Sequence, residues 1–161
     1  MSKAFTKEDE GEPAVLGRPV VRGERPITAR GHAELVARFA ALEADLAALG
    51  SPTEATVLKR AAMLHERDQL AASLADVRVH AAPDSPQTVS FGCRVHLRGE
   101  RGERVLSLVG PDEADPKRGR ISVMSPVGQA LLGASRGAEV ELRRPGGTEL
   151  VTVTAIEAEP A

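Results

Sequence analysis

Aromatic residues are scarce in this 161-residue chain, which contains three phenylalanines but no tyrosine or tryptophan. Its core must therefore be built mainly from aliphatic side chains. The single cysteine, Cys93, has no partner for an internal disulfide, which is typical of a reducing compartment. No apolar run approaches the length of a membrane span, and residues 1–10 lack the apolar segment of a secretory signal. We therefore expect a cytoplasmic protein with no membrane partner.

An excess of basic charge is also missing, because 21 Lys and Arg residues face 23 Asp and Glu residues. A surface that follows nucleic-acid phosphates usually shows a strong basic excess, so a dedicated nucleic-acid binder is disfavoured. Four arginines on one predicted β-hairpin are candidates for a weak contact with nascent RNA or DNA: Arg94, Arg98, Arg101 and Arg104. The alternative is that they form only the solvated side of a sheet.

The sequence shows no pattern that is typical of a catalytic or metal-binding site. The histidines at 32, 65, 80 and 96 share no metal-ligand spacing, and Cys93 has no second cysteine nearby. No serine lies in a nucleophile elbow, and no glycine-rich loop opens a helix. The acids Asp112, Glu113 and Asp115 could hold a cation, although a solvated loop is the more ordinary interpretation. We predict no catalytic residue, metal, cofactor or small-molecule substrate, and no enzyme activity.

Two helices folded back on each other are predicted between Thr28 and Val79. The first has apolar residues at spacings of four and three, namely Leu35, Phe39, Leu42, Leu46 and Leu49. Gly50 can end this helix in a left-handed conformation, and Ser51-Pro52-Thr53-Glu54 is typical of a helix start with a capping box. Such a short link forces an antiparallel pair. The second helix, from Pro52 to about Asp76, is less regular, so we expect the hairpin's base to be better packed than its tip.

From Val89 onward the apolar residues recur with a period of two. Val89, Phe91, Cys93, Val95 and Leu97 alternate with polar residues, which predicts a strand. The pattern then predicts a turn at 99–102, a strand at 104–109, a charged loop at 110–119 and a short strand at 121–124. A brief helix at 127–132, capped by Ser125 and Pro126, and a final hairpin of 140–143 with 150–156 complete the chain. The fold class is α+β, with a small antiparallel sheet and one short helix.

Composition and periodicity divide the chain into three parts. Residues 1–27 mix charge with glycine and proline and show no period, which predicts a flexible leader. Residues 28–80 form the helical hairpin. A proline-containing linker at 81–86 opens the third part, the sheet domain of residues 81–161.

One segment of the sheet domain resembles the signature of the GreA and GreB transcript-cleavage factors of bacteria. Its matching elements are Val109-Gly110, Glu113-Ala114-Asp115, Ile121-Ser122, Ser125-Pro126 and Leu131-Leu132-Gly133. The likeness extends to Phe91-Gly92, to Pro145-Gly146-Gly147, and to Ile27-Thr28 with Gly31 and Leu35. The stretch from Ser122 to Gly133 is also similar to the regulator of nucleoside diphosphate kinase.

The resemblance implies an FKBP-like C-terminal domain and a coiled-coil hairpin that together dock on RNA polymerase at its secondary channel. The residues that it places at the polymerase are Asp115, Pro116, Gly119, Ile121, Ser125 and Pro126. The alternative is that Gly119, Ile121, Ser125, Pro126 and Leu132 serve only the turn and helix cap of their own domain. In the family, two acidic residues at the hairpin tip help to bind the second catalytic magnesium ion and its water.

The predicted hairpin tip departs from that family pattern. It consists of Gly50, Ser51, Pro52 and Glu54, with Thr53 between them, and it lacks the acidic pair. The stretch from Thr28 to Val79 is also about twenty residues shorter than the pattern, so each arm falls roughly 15 Å short at about 1.5 Å per residue. A carboxylate that far from the catalytic metal cannot bind it.

The sequence therefore predicts a GreA/GreB-family factor that binds RNA polymerase and modulates elongation without strong stimulation of transcript cleavage. One alternative is an interaction module like the kinase regulator, which competes with cleavage factors or acts on another enzyme. Another is peptidyl-prolyl isomerisation, suggested by the FKBP-like fold. That activity needs an aromatic-lined pocket, which a domain with Phe91 as its only aromatic residue cannot form.

Overall fold

The computed structural model describes residues 24–160. Most of the predicted leader, residues 1–23, lies outside that range. The described elements are, in chain order, β1 (Arg25–Ile27), α1 (Ala29–Ala48), α2 (Val57–Asp76), β2 (Val77–Val79), β3 (Cys93–Gly99), β4 (Gly102–Val109), β5 (Arg120–Ser122), α3 (Pro126–Leu131), β6 (Glu139–Arg144) and β7 (Gly147–Ala158). Two short 3₁₀ turns, Pro111–Glu113 and Pro116–Arg118, lie between β4 and β5.

Helix α1 begins and ends where the sequence predicts. The Thr28 hydroxyl accepts a hydrogen bond from the Gly31 backbone N–H at 3.0 Å, which caps the N-terminus. At the other end Gly50 has a φ of 64°, the left-handed conformation expected of a glycine just past a helix. The two helices form the predicted antiparallel hairpin.

The predicted start of α2 is wrong. The helix begins at Val57 rather than Pro52, and no side chain caps its N-terminus. The Thr53 backbone N–H instead donates to the Thr56 hydroxyl at 2.9 Å. This local hydrogen bond competes with the capping box, because a threonine hydroxyl offers the backbone a turn in place of a helix. The link between the helices is therefore longer than two residues, and Glu54 is exposed.

The prediction that the hairpin's base is better packed than its tip is wrong for α1, whose two buried leucines lie in the half of the helix nearer the tip. Leu42 and Leu46 of α1 and Leu70 of α2 are buried, and Val77 is buried at the base. Leu58, in the first turn of α2, is 84% exposed. Ion pairs between Arg38 and Glu66 and between Glu43 and Arg67 also join the two helices. None of the described helices is long and apolar enough to cross a membrane.

The ends of the hairpin are joined by a two-stranded parallel ribbon that the sequence did not predict. Strand β1 leads directly into α1, strand β2 follows directly from α2, and Ile27 pairs with Val79. Ile27 is fully buried. Both strands are only three residues long, which is too short for a periodic pattern to show.

The second sheet has the strand order β5-β4-β3-β7-β6. The pairs β3–β4, β3–β7 and β6–β7 are antiparallel, and the α+β class is confirmed. The edge strand β5 differs from the expectation because it runs parallel to β4. The segment between β4 and β5 contains two 3₁₀ turns instead of a tight hairpin turn, so it can carry the chain back to start β5 in the same direction.

The core of this sheet is almost wholly aliphatic. All five residues of the predicted alternating strand are buried, although β3 itself begins only at Cys93. Leu131 of α3 packs against them, and so do Leu142 of β6 and Val151 and Val153 of β7. Helix α3 is capped by Ser125, with Pro126 at its first position, as the sequence predicts.

Candidate functional site

The residues that the sequence places at a polymerase surface lie around the β4–β5 connection and the start of α3. Asp115 caps the second 3₁₀ turn, since its Oδ1 accepts from the Lys117 backbone N–H at 3.2 Å. Asp115 and Arg120 also exchange two backbone hydrogen bonds of 2.9 Å. These bonds close residues 115–120 into a loop. Gly119 completes it with a φ of 73°, and a Cβ at this position would lie 2.9 Å from the Val105 carbonyl oxygen.

The second half of this surface is the turn from β5 into α3. The Ser125 hydroxyl accepts from the Gly128 N–H at 3.1 Å and donates to the Ser122 carbonyl at 2.7 Å. Pro126 is exposed, and Ile121 is partly buried against the core. Met124 is 59% exposed between them and was not predicted as a site residue. The position of Met124 between a short predicted strand and a predicted helix cap was the sequence signal that could have identified it.

Several predicted contact residues thus also hold their own domain together. Asp115, Gly119 and Ser125 each serve a turn or a cap, as the alternative interpretation expected of Gly119 and Ser125. The apolar groups left at the surface belong to Pro116, Met124 and Pro126. We define the docking surface as Asp115, Pro116, Gly119, Ile121, Met124, Ser125 and Pro126.

Glu113, just before the docking surface, is buried against the base of the hairpin. Its side chain is 1% exposed. Oε1 accepts from the backbone N–H groups of Thr28 and Gly110 at 2.8 and 3.0 Å, and Oε2 accepts from the Thr28 hydroxyl at 2.5 Å. The predicted solvated loop is therefore wrong for this residue. A buried acceptor with three donors is a structural anchor between α1 and the sheet.

The three acids considered for a cation do not form a cluster. Asp112 pairs with Arg25, Glu113 binds the hairpin base, and Asp115 caps its own turn. Within residues 24–160, no group of His, Cys, Asp and Glu side chains is arranged to hold a metal ion.

Arg120, at the C-terminal end of the loop of residues 115–120, also contacts α1. Its side chain is buried and donates to Glu34 at 2.8 Å, with Glu113 3.9 Å away. The hydrogen bond from Arg120 lowers the pKa of the Glu34 carboxyl below its ordinary value of 4.5, and Arg30 contributes, while partial burial opposes them. We call Thr28, Gly31, Glu34, Glu113 and Arg120 the joint.

Two glycines make room for the joint. A Cβ on Gly31 would lie 1.7 Å from Glu113 Oε2, and a Cβ on Gly110 would lie 1.8 Å from the Pro26 carbonyl oxygen. Any other residue at either position would separate α1 from the sheet domain. Both glycines belong to the motifs that carried the family resemblance, but their spacing in the sequence does not show that the motifs meet.

The four arginines of the β3–β4 hairpin do not share one face. Arg94 and Arg98 pair across the strands with Ser107 and Glu103, whereas Arg104 lies opposite Leu97 on the other face. Arg94 is 3.3 Å from Glu159, Arg98 is 2.8 Å from Glu103, and Arg104 is 2.8 Å from Glu149. Acids thus neutralise much of the predicted basic face. Contact with RNA or DNA through these residues stays a prediction.

The predicted hairpin tip is exposed along its whole length. Gly50, Ser51, Pro52 and Glu54 are all accessible, and the Gly50 carbonyl accepts from the Arg60 guanidinium. Glu54 is the only acid among residues 49–57. Helix α1 has 20 residues, which corresponds to a length of about 30 Å.

A helical hairpin fixed by its base to a small sheet domain defines the class of this protein. The family profile "Transcription elongation factor, GreA/GreB, C-term" matches residues 83–158. A GreB of Pseudomonas aeruginosa is 37% identical over 163 residues, covering 92% of this chain and 96% of the relative. The chain belongs to the GreA/GreB family of transcription elongation factors.

Other relatives match over a shorter range. A GreA of Rhodopseudomonas palustris is 44% identical over 75 residues, covering 45% of this chain and 47% of the relative. This match spans about half the length of that protein. Among solved structures, a GreA/GreB factor of Nitrosomonas europaea is 28% identical, with a TM-score of 0.41 over 83% of this chain and 99% of that one. Gfh1 of Thermus thermophilus is 22% identical, with a TM-score of 0.41 over 84% and 99%.

Proposed function

We propose that this chain binds RNA polymerase through the docking surface and places its short hairpin at the mouth of the secondary channel. There it modulates elongation without strong stimulation of transcript cleavage. Family membership supports the choice of partner. Exposed Pro116, Met124 and Pro126 on a rigid loop and helix start support the choice of surface.

The composition of the hairpin tip is the observation that carries the non-catalytic half of this proposal. Magnesium in a polymerase site takes oxygen ligands with near-ideal octahedral geometry, and a tip that assists it must present carboxylates. Here the tip offers Glu54 alone, on an exposed turn where no contact within residues 24–160 fixes its side chain. A single mobile acid is a poor ligand, because errors of about 1 Å can cost roughly a hundredfold in rate.

The joint supports the proposed division of labour between the docking surface and the hairpin. Glu113 and Arg120 flank residues 114–119, and both contact the first two turns of α1. A partner that grips the docking surface therefore also sets the direction of the hairpin. We propose 25–80 and 81–161 as the two functional parts, because β1 joins residues 25–27, which the sequence analysis assigned to the leader, to the hairpin.

A cleavage assay on backtracked elongation complexes tests the function. Purified protein is added alone and in competition with the Pseudomonas aeruginosa GreB. We expect little cleavage from the protein alone and slower cleavage when it competes with GreB. Cleavage at the rate given by GreB would contradict the non-catalytic half of the proposal.

A pull-down with RNA polymerase tests the surface separately. The Met124→Glu variant places a charge among the exposed apolar groups and should weaken binding about tenfold or more. Leu150→Glu is the matched control, since Leu150 is similarly exposed on β7 and lies outside the docking surface. If the wild-type protein fails to bind polymerase, the alternative of an interaction module for another enzyme is favoured.

A further inference from the structure

A cleft lies between the β3–β4 turn and the β6–β7 turn, away from the docking surface. It has a volume of about 260 Å³ and is lined by Arg101, Arg144, Pro145, Gly146, Gly147, Thr148 and Glu149. Strands β6 and β7 form the edge of the sheet opposite to β5. None of these residues takes part in the joint or in the docking surface.

Glu149 organises the arginines around this cleft. Its side chain is about nine-tenths buried, and its Oε2 is 2.8 Å from Arg104 and 3.3 Å from Arg144. The hydrogen bond from Arg104, with the charges of Arg104, Arg144 and Arg101, lowers the pKa of the Glu149 carboxyl. Gly99 leaves room for this carboxyl, because a Cβ there would lie 2.7 Å from Glu149 Oε1. Glu149 thus holds the guanidinium groups in place.

The arginines keep unused hydrogen-bond donors after this pairing. Arg144 approaches Glu149 through its Nε, 3.3 Å from Oε2, and its terminal NH₂ groups make no hydrogen bond among the described residues. Arg101 is exposed and makes no hydrogen bond in the same part of the chain. Two arginines and one glutamate line the cleft, namely Arg101, Arg144 and Glu149, and Arg104 also pairs with Glu149. The cleft therefore has a net positive charge in a chain of net charge −2.

We propose that this cleft binds a phosphate group. The planar guanidinium fork matches phosphate oxygens in a bidentate manner, and the exposed Thr148 hydroxyl can add a further donor. The cleft is smaller than a drug-sized pocket of about 300–1,000 Å³, so it takes the phosphate while the rest of the ligand stays in solvent. The phosphate belongs either to a single-stranded nucleic acid or to a free polyphosphate. The site is independent of polymerase docking.

Binding is measured with the purified full chain and two phosphate probes. Fluorescence anisotropy follows a labelled single-stranded RNA, and calorimetry follows inorganic triphosphate. The Arg101→Gln/Arg144→Gln double variant should weaken binding about tenfold or more, since charge-assisted hydrogen bonds to phosphate are among the strongest in proteins. It should also reduce the salt dependence of RNA binding. Arg98→Gln on the same hairpin is the matched control, and we expect it to bind as the wild type does.

The single variant Arg101→Gln separates loss of binding from loss of the fold. It should fold normally, because Arg101 is exposed and makes no hydrogen bond within residues 24–160. It should weaken binding severalfold while circular dichroism stays unchanged. Binding of RNA alone identifies a nucleic-acid backbone, and binding of triphosphate identifies a free polyphosphate. Either result, when lost in the variants, supports the proposal. The proposal is overturned if neither probe binds, if the variants bind as tightly as Arg98→Gln, or if only an acidic peptide binds.

Discussion

At Glu113, one carboxyl group accepts hydrogen bonds from two backbone N–H groups, that of Thr28, 85 residues away in the chain, and that of Gly110, three residues away. Each of these buried N–H groups would lose free energy without an acceptor, since an unsatisfied buried donor costs about 1–3 kcal/mol. The position of Glu113 depends in turn on the absence of a side chain at Gly31. Gly31 and Glu113 are therefore coupled, and a substitution at one should alter the contribution of the other to stability.

The first prediction concerns Gly31→Ala. Alanine is the better helix former by about 1 kcal/mol, so helix propensity alone predicts stabilisation. We expect destabilisation by about 2 kcal/mol or more, because the new Cβ would displace the Glu113 carboxyl from its donors. Urea unfolding measures the difference. Ala37→Gly, on the exposed side of α1, is the control and should destabilise by about 1 kcal/mol through propensity alone. A Gly31→Ala variant more stable than wild type would contradict the close packing at the joint.

The second prediction concerns pH and Glu34. Because the folded pKa of Glu34 is lowered, its stabilising effect is complete above the unfolded value of 4.5 and is lost as pH falls through the lower folded pKa. Glu34→Gln should therefore be less stable than wild type at about pH 6, and the difference should shrink towards about pH 3. Urea unfolding across this range measures it.

Glu141→Gln provides the control for the pH experiment. Glu141 is exposed on β6 and forms no ion pair in the part of the chain that the structure describes. Glu141→Gln should have the same free energy of unfolding as the wild type at every pH. A constant difference between Glu34→Gln and wild type across the range would show that the Arg120–Glu34 pair is not responsible.

At the scale of elements, the hairpin derives its stability from a few buried leucines, two of which lie in the half of α1 nearer the tip. Leu46→Ala should destabilise the protein by about 2–3 kcal/mol, as expected for a large-to-small change at a buried site. Leu58→Ala is the matched control and should change stability by less than about 0.5 kcal/mol, because Leu58 lies almost wholly in solvent. Thermal or urea unfolding distinguishes them. Equal effects would show that Leu46 is no better packed than the exposed first turn of α2.

The elements with a clear period were predictable from the sequence. The α1 helix, the alternating strand and the Ser125 cap depend on local patterns, and the structure has all three. The start of α2 was not predictable, because the capping box and the Thr53–Thr56 hydrogen bond are both local and compete for the same backbone. The direction of β5 depends on the path of the chain between strands, which periodicity does not encode.

At the scale of the whole molecule, the joint is the feature that sequence reasoning missed. The sequence analysis had noted its residues in two separate motifs, one with Thr28 and Gly31 and the other with Glu113 and Asp115. It did not predict that the two motifs meet. A contact between residues 85 positions apart depends on how the hairpin folds back onto the sheet. The acidic composition of residues 112–115 therefore suggested solvent or a cation, although Glu113 is one of the most buried charged groups described.

The last prediction concerns cooperativity. The joint connects the hairpin and the sheet through buried hydrogen bonds, and Arg30 and Arg94 extend it through Glu159. We therefore expect one calorimetric unfolding transition for the full chain. Glu113→Ala should lower its midpoint and separate the hairpin from the sheet as an earlier transition. The exposed-site variant Glu100→Ala should leave the single transition unchanged. Two transitions in the wild-type chain would show that the parts fold independently.

The loop of residues 114–119 is anchored at both ends on the base of α1, through Glu113 and Arg120. The loss of orientational entropy between hairpin and loop thus takes place when the chain folds, and not when it meets its target. In the proposed complex, recognition of the loop alone would aim the hairpin, because the two are already joined in the folded chain.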